Sequence, residues 1–447
     1  MADPVDHKLA ATVADGGRLR ALVLELWQRT RMDWGFVTDR LAITFRKEKW
    51  VGSHERRFVS ETLYGMVRNL RRIDLALERG RRTKQAPRDL ERLLALLVLE
   101  GLLPPAHAAK AVAGGDLRGV PDLDWTQIPG VDAVIAAERK PVTRIALASS
   151  LPDWLAARLV ADWGDRAEAL ARSLNERAPM TIRANTLVGD RAALAKRLEA
   201  EQLATHPGTW CDTALVVDTR TNLFGTDAFK AGAFEAQDEG SQLLAELAIP
   251  TAPKPLVVDY CAGAGGKTLA IAARLANRGR IIATDVDPGK LDELRRRARR
   301  AKVSNARAMT IDDRELDAVN GKADVVFVDA PCTGIGALRR NPEARWRLRE
   351  DEIAGFAARQ LAIVAAAKRL VAPGGRLVYA TCSLLAEENA HVVTAILAAH
   401  PELAPVALAE VLGTERAEAL GDGTGAFVVT PLRHGTDGFF ARVFQRT

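Results

Sequence analysis

The C-terminal part of the chain, from Pro253 onward, alternates short apolar runs with longer segments of helical periodicity. The apolar runs predict five strands: Leu256–Asp259, Arg280–Asp285, Ala306–Ile311, Asp324–Asp329 and Arg376–Thr381. The intervening and following segments predict four helices: Gly266–Ala276, Pro288–Lys302, Asp351–Leu370 and Glu387–Ala399. Because strands joined through helices run parallel, the pattern predicts an α/β fold with helices on both faces of a parallel sheet.

Two further apolar runs, Ala426–Thr430 and Gly438–Phe444, are separated by only a short turn, so we expect them to be antiparallel to each other. The predicted sheet therefore has seven strands and ends in one antiparallel strand. Open sheets of this kind bind their ligands at the carboxyl ends of the parallel strands. Residues that directly follow the predicted strands are consequently the first candidates for a functional site.

The residues before Pro253 divide into a helical part and a mixed part. The helical part has amphipathic patterns over Arg18–Gln28, Glu55–Leu77 and Asp89–Leu99, and a Gly- and Pro-marked stretch that predicts a linker, Gly114–Gly130. The mixed part combines predicted helices and strands at Trp154–Trp163, Arg191–Glu201, Thr181–Asn185 and Ala214–Asp218. We therefore expect an all-α domain over 1–150, a small α+β linking region over 151–248 and the α/β domain over 249–447.

Composition and charge restrict the class of protein. Hydrophobic residues make up 48% of the 447 residues and charged residues 27%, which is typical of globular proteins with a large core. The N-terminus lacks the basic start and apolar run of a signal peptide, so we expect a cytoplasmic protein without a membrane span. The formal net charge of +6 permits an RNA partner through attraction to phosphate, but does not require one.

A glycine cluster follows the first strand of the α/β part, within Val257–Thr268 (VVDYCAGAGGKT). Glycines at a strand-to-helix turn let the backbone approach a ligand and direct helix N-terminal amides at it. A P-loop would need glycine where Cys261 stands, and a dinucleotide fingerprint would need glycine where Thr268 stands. A nucleoside ligand with little or no phosphate remains, and S-adenosylmethionine fits that description.

Two aspartates are placed to complete a nucleoside site. Asp285 ends the second predicted strand, about 20 residues past the glycines, where a carboxylate binds the ribose hydroxyls. Asp312 follows the third predicted strand and is placed to accept a hydrogen bond from the adenine amino group. A lone aspartate in such a position is more often a turn residue or a helix cap. Three successive turns that each carry a suitable residue favour the nucleoside site.

Two of the four cysteines, Cys332 and Cys382, follow predicted strands. The cysteines stand too far apart in sequence for a CxxC metal knuckle, so we expect free thiols and no metal. One free cysteine usually packs as a small hydrophobe, whereas two beside a methyl-donor pocket suggest a nucleophile. A thiolate that adds to carbon 6 of cytosine enables carbon 5 to take a methyl group. Asp329 is the candidate to stabilise that adduct, and Lys267 the candidate to keep a thiol ionised. These arguments leave open which thiol attacks.

The chain resembles the Sun/Fmu family of RNA cytosine-5 methyltransferases over most of its length, and within it the bacterial 16S ribosomal RNA enzymes with a NusB-like N-terminal domain. The segments that carry the resemblance are Cys261–Thr268 (family pattern CAAPGGKT), Asp329–Gly334 (DAPCSG), Thr381–Ser383 (TCS), Arg183–Leu187 (RxNxL), Phe234–Ser241 (FxxQDxxS), Arg339–Pro342 and Asp437–Phe440. Glu61–Arg68 is similar to part of a NusB-type RNA-binding domain. The resemblance implies a class I, Rossmann-like methyltransferase domain that follows a NusB-like domain.

The resemblance also implies a role for each candidate residue. Cys382 would be the nucleophile and Cys332 the thiol that assists product release. The methyl donor, S-adenosylmethionine, would contact two sets of residues. In the glycine loop these are Cys261, Ala262, Gly263, Ala264, Gly265, Gly266 and Lys267, and after the strands they are Asp285, Asp312 and Asp329. We expect ribosomal RNA as the partner and no obligate protein partner. The residues expected to contact RNA are Arg183, Asn185, Arg339 and Arg340.

One departure from the family and two alternative functions accompany this interpretation. Gly263-Ala264 replaces the usual Ala-Pro of the cofactor loop, which should loosen the turn and affect cofactor affinity. The substrate could instead be transfer RNA or a protein. The second alternative is a catalytically inactive RNA-binding or assembly factor, but the chain keeps Cys382, Cys332 and Asp329.

Overall fold

The computed structural model describes residues 4–113, 123–218, 222–312 and 314–447. The chain forms two compact units. The helical unit comprises Met1–Glu176 and Leu338–Glu350, and the sheet unit comprises Arg177–Ala337 and Asp351–Thr447. The helical unit thus extends past the boundary predicted at residue 150, because the two helices between residues 153 and 175 belong to it.

The helical unit packs amphipathic helices around a leucine-rich core. Its helices are Pro4–Asp15, Gly17–Asp33, Val37–Lys47, Ser53–Arg68, Leu70–Gly80, Asp89–Leu99, Pro105–Ala113, Val131–Ala137, Pro141–Ala148, Asp153–Trp163, Ala167–Asn175 and Ala344–Arg347. Trp27, Leu63 and Leu93 are fully buried in this core. In Asp89–Leu99, Glu91 accepts a hydrogen bond from the backbone amide that precedes the helix, which stabilises its first turn.

Two details of the helical unit differ from the sequence-based expectation. The pattern over Glu55–Leu77 forms two helices rather than one, and Asn69 lies between them. Of the predicted linker Gly114–Gly130, residues 114–122 lie outside the described residues, and Trp125–Gly130 forms a 3₁₀ helix. The side chain of Asp124 caps that short helix, so the C-terminal end of the predicted linker forms regular structure.

Residues 338–350 interrupt the sheet unit in sequence but pack within the helical unit. The guanidinium of Arg345 is buried and donates to the carbonyl of Ser149 and to Oδ1 of Asn175, at 2.7 Å each. The indole of Trp346 donates to a backbone carbonyl of the helical unit at 3.0 Å. Breaking these bonds would leave buried donors without acceptors, which is costly. The helical unit is therefore assembled from two separate stretches of chain.

The sheet unit begins with a small antiparallel sheet of four strands. These are β1 (Met180–Ala184), β2 (Thr205–Pro207), β3 (Ala214–Val217) and β4 (Phe234–Ala236), in the order β2-β3-β1-β4. The adjoining helices are Arg191–Ala200, Asp227–Lys230 and Glu239–Leu247. Ile182, Leu215 and Phe234 are buried in their shared core. The predicted α+β character of this region is confirmed, and the two three-residue strands β2 and β4 are additional.

The larger sheet of this unit has eight strands. They are β5 (Leu256–Asp259), β6 (Arg280–Asp285), β7 (Ala306–Thr310), β8 (Ala323–Asp329), β9 (Val371–Thr381), β10 (Leu403–Pro405), β11 (Phe427–Val429) and β12 (Phe439–Arg446). Their order is β10-β12-β9-β8-β5-β6-β7, with β11 beside β12. Strands β5 to β9 run parallel and β12 runs antiparallel to β9, which confirms the predicted α/β fold. All seven predicted strands are present, and β10 is an additional edge strand.

Helices cover both faces of the larger sheet. They are Gly266–Arg274, Pro288–Arg300, Ile353–Ala367, Ala390–Ala399, Leu408–Leu412, Thr414–Leu420 and Pro431–His434. Alternate residues of a strand face opposite sides, so Val257 and Phe327 join one hydrophobic cluster while Val258 and Val326 join the other. The loops that follow the parallel strands consequently lie along one edge of the sheet.

Within the residues that the structure describes, no helix combines the length and apolar character needed to cross a membrane. Over the same residues, no group of three or more His, Cys, Asp or Glu side chains is arranged to hold a metal ion. All four cysteines are free thiols. Their chemistry therefore depends on their immediate surroundings.

Candidate active site

The loop between β5 and the helix Gly266–Arg274 lies at the carboxyl edge of the larger sheet. Gly263 (φ +54°) and Gly265 (φ +85°) both adopt the left-handed backbone conformation that favours glycine. A Cβ atom on Gly265 would lie 2.6 Å from Cγ of Leu294, whereas one on Gly263 would meet no atom of the described residues within 4 Å. Gly265 thus closes the turn against a neighbouring helix, and Gly263 borders open space that a ligand can fill.

Asp285, the last residue of β6, holds this glycine loop. Its carboxylate accepts hydrogen bonds from the backbone amides of Gly263 and Asp287, at 2.9 Å each. Asp312 is exposed in the turn after β7, at the same edge of the sheet. The structure therefore joins Asp285 to the loop directly and places Asp312 on the next turn.

Three carboxylates, those of Asp259, Asp285 and Asp329, lie around the loop, together with the cations Lys267 and Arg297. Asp259 at the end of β5 is 1% exposed and accepts from the hydroxyl of Thr268 at 2.5 Å. Burial, with smaller contributions from the nearby Asp329 and Asp285, raises the pKa of Asp259 to about 7. Burial and the same carboxylates raise the pKa of the Cys261 thiol, which therefore stays protonated. Clustered carboxylates repel phosphate and attract a cation, so the site fits the sulfonium of S-adenosylmethionine.

Lys267 and Asp329 form an ion pair beside this loop. Nζ of Lys267 lies 2.5 Å from Oδ2 of Asp329, the last residue of β8. Burial alone would lower the pKa of Lys267, but the charge and hydrogen bonding of Asp329 outweigh burial and raise it. Nζ also lies 5.7 Å from the ring centre of Phe439. Lys267 is therefore an ammonium ion at neutral pH.

The thiols of Cys332 and Cys382 meet where β8 and β9 end. Their Sγ atoms lie 3.3 Å apart, within hydrogen-bond distance for sulfur. The hydrogen bond with Cys382 and burial together raise the pKa of Cys332 well above its usual value. Cys332 therefore keeps its proton at neutral pH and can donate a hydrogen bond to the sulfur of Cys382. The two cysteines predicted from the sequence thus lie together, and either sulfur can donate the hydrogen bond between them.

Backbone packing holds the Cys382 loop against two other segments. The amide of Gly336 donates to the carbonyl of Cys382 at 2.9 Å, and the amide of Gly438 donates to the carbonyl of Gly336 at 2.8 Å. A Cβ atom on Gly336 would lie 2.1 Å from the carbonyl oxygen of Gly438 and 2.8 Å from that of Cys382. Only glycine fits at position 336, although neither glycine was predicted as a site residue.

A buried carboxylate that the sequence analysis did not identify lies next to the thiol loops. Glu388 is fully buried in the 3₁₀ turn Ala386–Glu388. Its carboxylate accepts hydrogen bonds from Thr333 and Ser383, the residues that directly follow the two cysteines. The sequence pattern placed it in the first turn of a predicted helix, Glu387–Ala399, where acidic residues are common. No signal in the sequence therefore distinguished it from an ordinary helix-start residue.

The structure corrects the predicted RNA contacts. Arg183 is 4% exposed and donates from Nε to Gln237 at 2.7 Å, and burial lowers its pKa to about 10. Asn185 is 2% exposed and donates to two backbone carbonyls at 2.8 Å each. Arg339 is 4% exposed in the helical unit, and Arg340 is partly buried. Buried groups that already have protein partners offer no surface to phosphate, so Arg183, Asn185 and Arg339 stabilise the fold instead.

Two family models match this chain. Residues 247–445, which contain the larger sheet and both thiols, match the family described as 16S rRNA methyltransferase RsmB/F. Residues 151–223 match the ferredoxin-like domain of RsmF/B-like methyltransferases. The second match includes β1 to β3 of the small antiparallel sheet.

Individual relatives extend the similarity over more of the chain. Ribosomal RNA small subunit methyltransferase B of Xanthomonas campestris pv. campestris is 32% identical over 404 residues, 86% of this chain and 88% of the relative. The probable ribosomal RNA small subunit methyltransferase B of Bacillus subtilis is 32% identical over 321 residues, 70% of this chain and 69% of the relative. A crystal structure of a methyltransferase homologue from Pyrococcus horikoshii covers 68% of this chain and 98% of its own, with 26% identity and a TM-score of 0.57. On these matches, the chain belongs to the RsmB/F family of 16S ribosomal RNA methyltransferases.

Proposed function

We propose that this chain methylates carbon 5 of a cytosine in 16S ribosomal RNA and that Cys382 is the covalent nucleophile. The observation that carries the proposal is the pair of thiols 3.3 Å apart at the edge of the sheet that also holds the glycine loop. Methyl transfer to an oxygen or an amine needs no thiol, whereas carbon 5 of cytosine must first be activated by a nucleophile. The names of the relatives, which refer to the small ribosomal subunit, support the choice of RNA.

S-adenosylmethionine is the methyl donor and supplies an electrophilic methyl group when bound. The loop Cys261–Lys267 would hold it, with Asp285 as the proposed partner of the ribose hydroxyls and Asp312 as that of the adenine amino group. The open space beside Gly263 and the carboxylates around the loop support this assignment. Asp329, at the end of β8, is the proposed contact nearest to the thiols.

Cys382 begins the reaction. An electron pair of its sulfur forms the bond to carbon 6, and the electrons of the ring double bond then form the bond from carbon 5 to the methyl group. The bond from that methyl group to the sulfonium would break in the same step and leave its electron pair on the sulfur of the released donor product. Before the attack, a hydrogen bond from the protonated Cys332 stabilises a thiolate on Cys382. Asp329, paired with Lys267, is the proposed contact for N3 and the exocyclic amine of the ring.

Release of the product requires the loss of the carbon 5 proton and the breaking of the carbon–sulfur bond. The hydrogen bond with Cys382 is the largest cause of the raised pKa of Cys332. Once Cys382 is bonded to carbon, that cause is lost, and Cys332 releases its own proton to solvent water and becomes a thiolate. Cys332 then takes the proton from carbon 5, the ring double bond re-forms, and the sulfur of Cys382 leaves with its electron pair. The two thiols therefore act in a fixed order.

This order predicts different outcomes for the two cysteine variants. Cys332→Ala should attack and methylate the RNA, then stall with it bound through Cys382, because elimination is blocked after methyl transfer. Cys382→Ala should form neither adduct nor product. A denaturing gel with a 16S ribosomal RNA transcript detects the adduct, and bisulfite sequencing detects the methylated cytosine.

The double variant Cys332→Ala/Cys382→Ala is the control and should give no slow band on the gel. A band with Cys382→Ala alone would reverse the roles of the two thiols. Full methylation by Cys382→Ala would contradict the covalent mechanism. A parallel reaction with transfer RNA tests the substrate, and methylation of transfer RNA alone would contradict the assignment to 16S ribosomal RNA.

A further inference from the structure

Glu388 is a fully buried carboxylate surrounded by hydrogen-bond donors. Its Oε1 accepts from the backbone amide of Thr333 at 2.9 Å and from Nε2 of Gln360 at 3.0 Å. Its Oε2 accepts from the hydroxyl of Thr333 at 2.5 Å and from the hydroxyl of Ser383. A buried anion needs several donors to offset its lost hydration, and neutral groups of the described residues supply them here.

Two of these donor residues directly follow the thiols in sequence. Thr333 follows Cys332 in the loop after β8, and Ser383 follows Cys382 in the loop after β9. Their hydroxyl oxygens lie 3.2 Å from each other. One carboxylate therefore ties the backbone beside each thiol to a common point, and the Sγ atoms of the two cysteines lie 3.3 Å apart.

The carboxylate is itself held from several directions. The hydroxyl of Tyr379, in β9, lies 2.6 Å from the carbonyl oxygen of Glu388 and 3.0 Å from Oε1 of Gln360. Nε2 of Gln360 also lies 3.2 Å from the carbonyl oxygen of Pro331, the residue before Cys332. With its own position determined in this way, Glu388 can keep the two loops at a fixed separation.

Stability alone does not require a charge at this position, since apolar groups of similar volume often replace buried ions without loss of stability. The negative charge of Glu388 contributes to the raised pKa of Cys332, after the hydrogen bond with Cys382 and burial. Both the geometry and the charge of this carboxylate thus act on the thiol that is proposed to work second.

We propose that Glu388 is a positioning residue for the thiol pair, whose carboxylate keeps Cys332 within reach of the adduct formed on Cys382. The proposal rests on the covalent mechanism proposed above, in which Cys332 acts after Cys382. It assigns Glu388 a larger effect on product release than on the attack at carbon 6, because its carboxylate accepts two hydrogen bonds from Thr333, beside Cys332, and one from Ser383, beside Cys382. A residue that only stabilised the fold would affect both steps alike.

Glu388→Ala tests this role, because it removes the shared acceptor and lets the two loops separate. Misplacing Cys332 by about 1 Å should slow release by roughly 10- to 100-fold while Cys382 still attacks. RNA trapped on Cys382 should therefore accumulate in this variant, measured on a denaturing gel per amount of folded protein. A merely destabilised enzyme would lose activity without this accumulation.

Glu239→Ala is the matched control. Glu239 is also buried, at 7% exposed, and accepts from the backbone amides of Trp210 at 2.5 Å and Cys211 at 2.7 Å, in a loop without either thiol of the pair. This variant should lose thermal stability without trapping RNA. More trapped RNA in Glu388→Ala than in Glu239→Ala supports the positioning role.

Equal trapping in these two variants, while Cys332→Ala still traps RNA, would overturn the role of Glu388 and leave the covalent mechanism intact. Methylation by Cys382→Ala would instead overturn the proposed function itself. If Glu388→Ala does not fold, Thr333→Val decides, because it removes one hydroxyl donor with little change of shape and keeps the carboxylate. Trapped RNA in Thr333→Val would support the positioning role, and its absence would overturn it.

Discussion

Among single residues, Asp259 makes the stability of the sheet unit depend on pH. Its Oδ1 has no hydrogen-bond partner among the described residues, and burial raises its pKa to about 7 from the ordinary value of 3.8. Because the pKa is higher in the folded protein, ionisation of this group opposes folding. The penalty is absent below about pH 4, grows as the pH rises towards 7, and is complete above pH 7.

Asp259→Asn should therefore raise the free energy of unfolding at pH 8 by roughly 2–4 kcal/mol, and by less at pH 5. Urea unfolding at the two pH values, without cofactor, measures the difference. Asp287→Asn, at an exposed helix cap, is the control and should change little at either pH. The same gain for Asp259→Asn at both pH values would contradict the burial argument.

Asp285 holds the glycine loop through the amide of Gly263, so under the proposed function its removal should weaken cofactor binding. Asp285→Ala removes a charged acceptor and the partner of the Gly263 amide, and should cost about 1–3 kcal/mol of affinity for S-adenosylmethionine. Calorimetric titration without RNA measures this loss. Asp292→Ala, on the exposed face of the helix Pro288–Arg300, should leave the affinity unchanged. Equal affinity of Asp285→Ala and the native chain would remove Asp285 from the site.

Among the elements, the loop after β8 packs closely against Gly438, the residue before β12, and against the loop after β9. Gly336→Ala would force its Cβ against the carbonyl oxygen of Gly438, 2.1 Å away, and should destabilise the protein by about 1–3 kcal/mol. Gly355→Ala is the matched control, since it lies in the helix Ile353–Ala367 and its Cβ would meet no atom within 4 Å in the part of the chain that the structure describes. That change should raise stability by up to about 1 kcal/mol.

Thermal unfolding of the two variants measures both effects, and a methylation assay shows whether the Gly336 variant also misplaces Cys382. If Gly336→Ala unfolds at the temperature of the native chain, the loops are not packed as tightly as the structure describes. If it retains full activity despite lower stability, the packing serves the fold and not the orientation of the thiol.

The elements were predictable where the sequence pattern was long or regular. Strands β5 and β6 have the predicted bounds, Leu256–Asp259 and Arg280–Asp285, because apolar runs between turn residues determine both ends. The strand β10 has only three residues, and its pairing with β12 defines it. No local pattern of that length can distinguish a strand from a loop. The same limit applies to β2 and β4.

At the scale of the whole molecule, the site residues that could be predicted from the sequence are those at or just after the ends of strands. Cys332, Cys382 and Asp329 come directly after or at the end of parallel strands, and the topology alone brings them to one edge. Arg183 and Arg339 lie in family motifs, but a motif does not reveal whether a residue contacts the substrate or the protein's own core. Their burial became visible only in three dimensions.

Residues 338–350 have a consequence for the order in which the chain can fold during synthesis. The helical unit needs this segment, yet the ribosome must first add the residues between 177 and 337 of the sheet unit. At 5–20 residues per second this delay is roughly 8–30 s. Until then, the two groups that accept hydrogen bonds from Arg345 have no guanidinium to bond. These groups are the carbonyl of Ser149 and Oδ1 of Asn175. The N-terminal helices therefore remain incompletely packed until residues 338–350 have been synthesised. Because these residues are made between the two parts of the sheet unit, the two units of the enzyme finish folding within a short interval of each other.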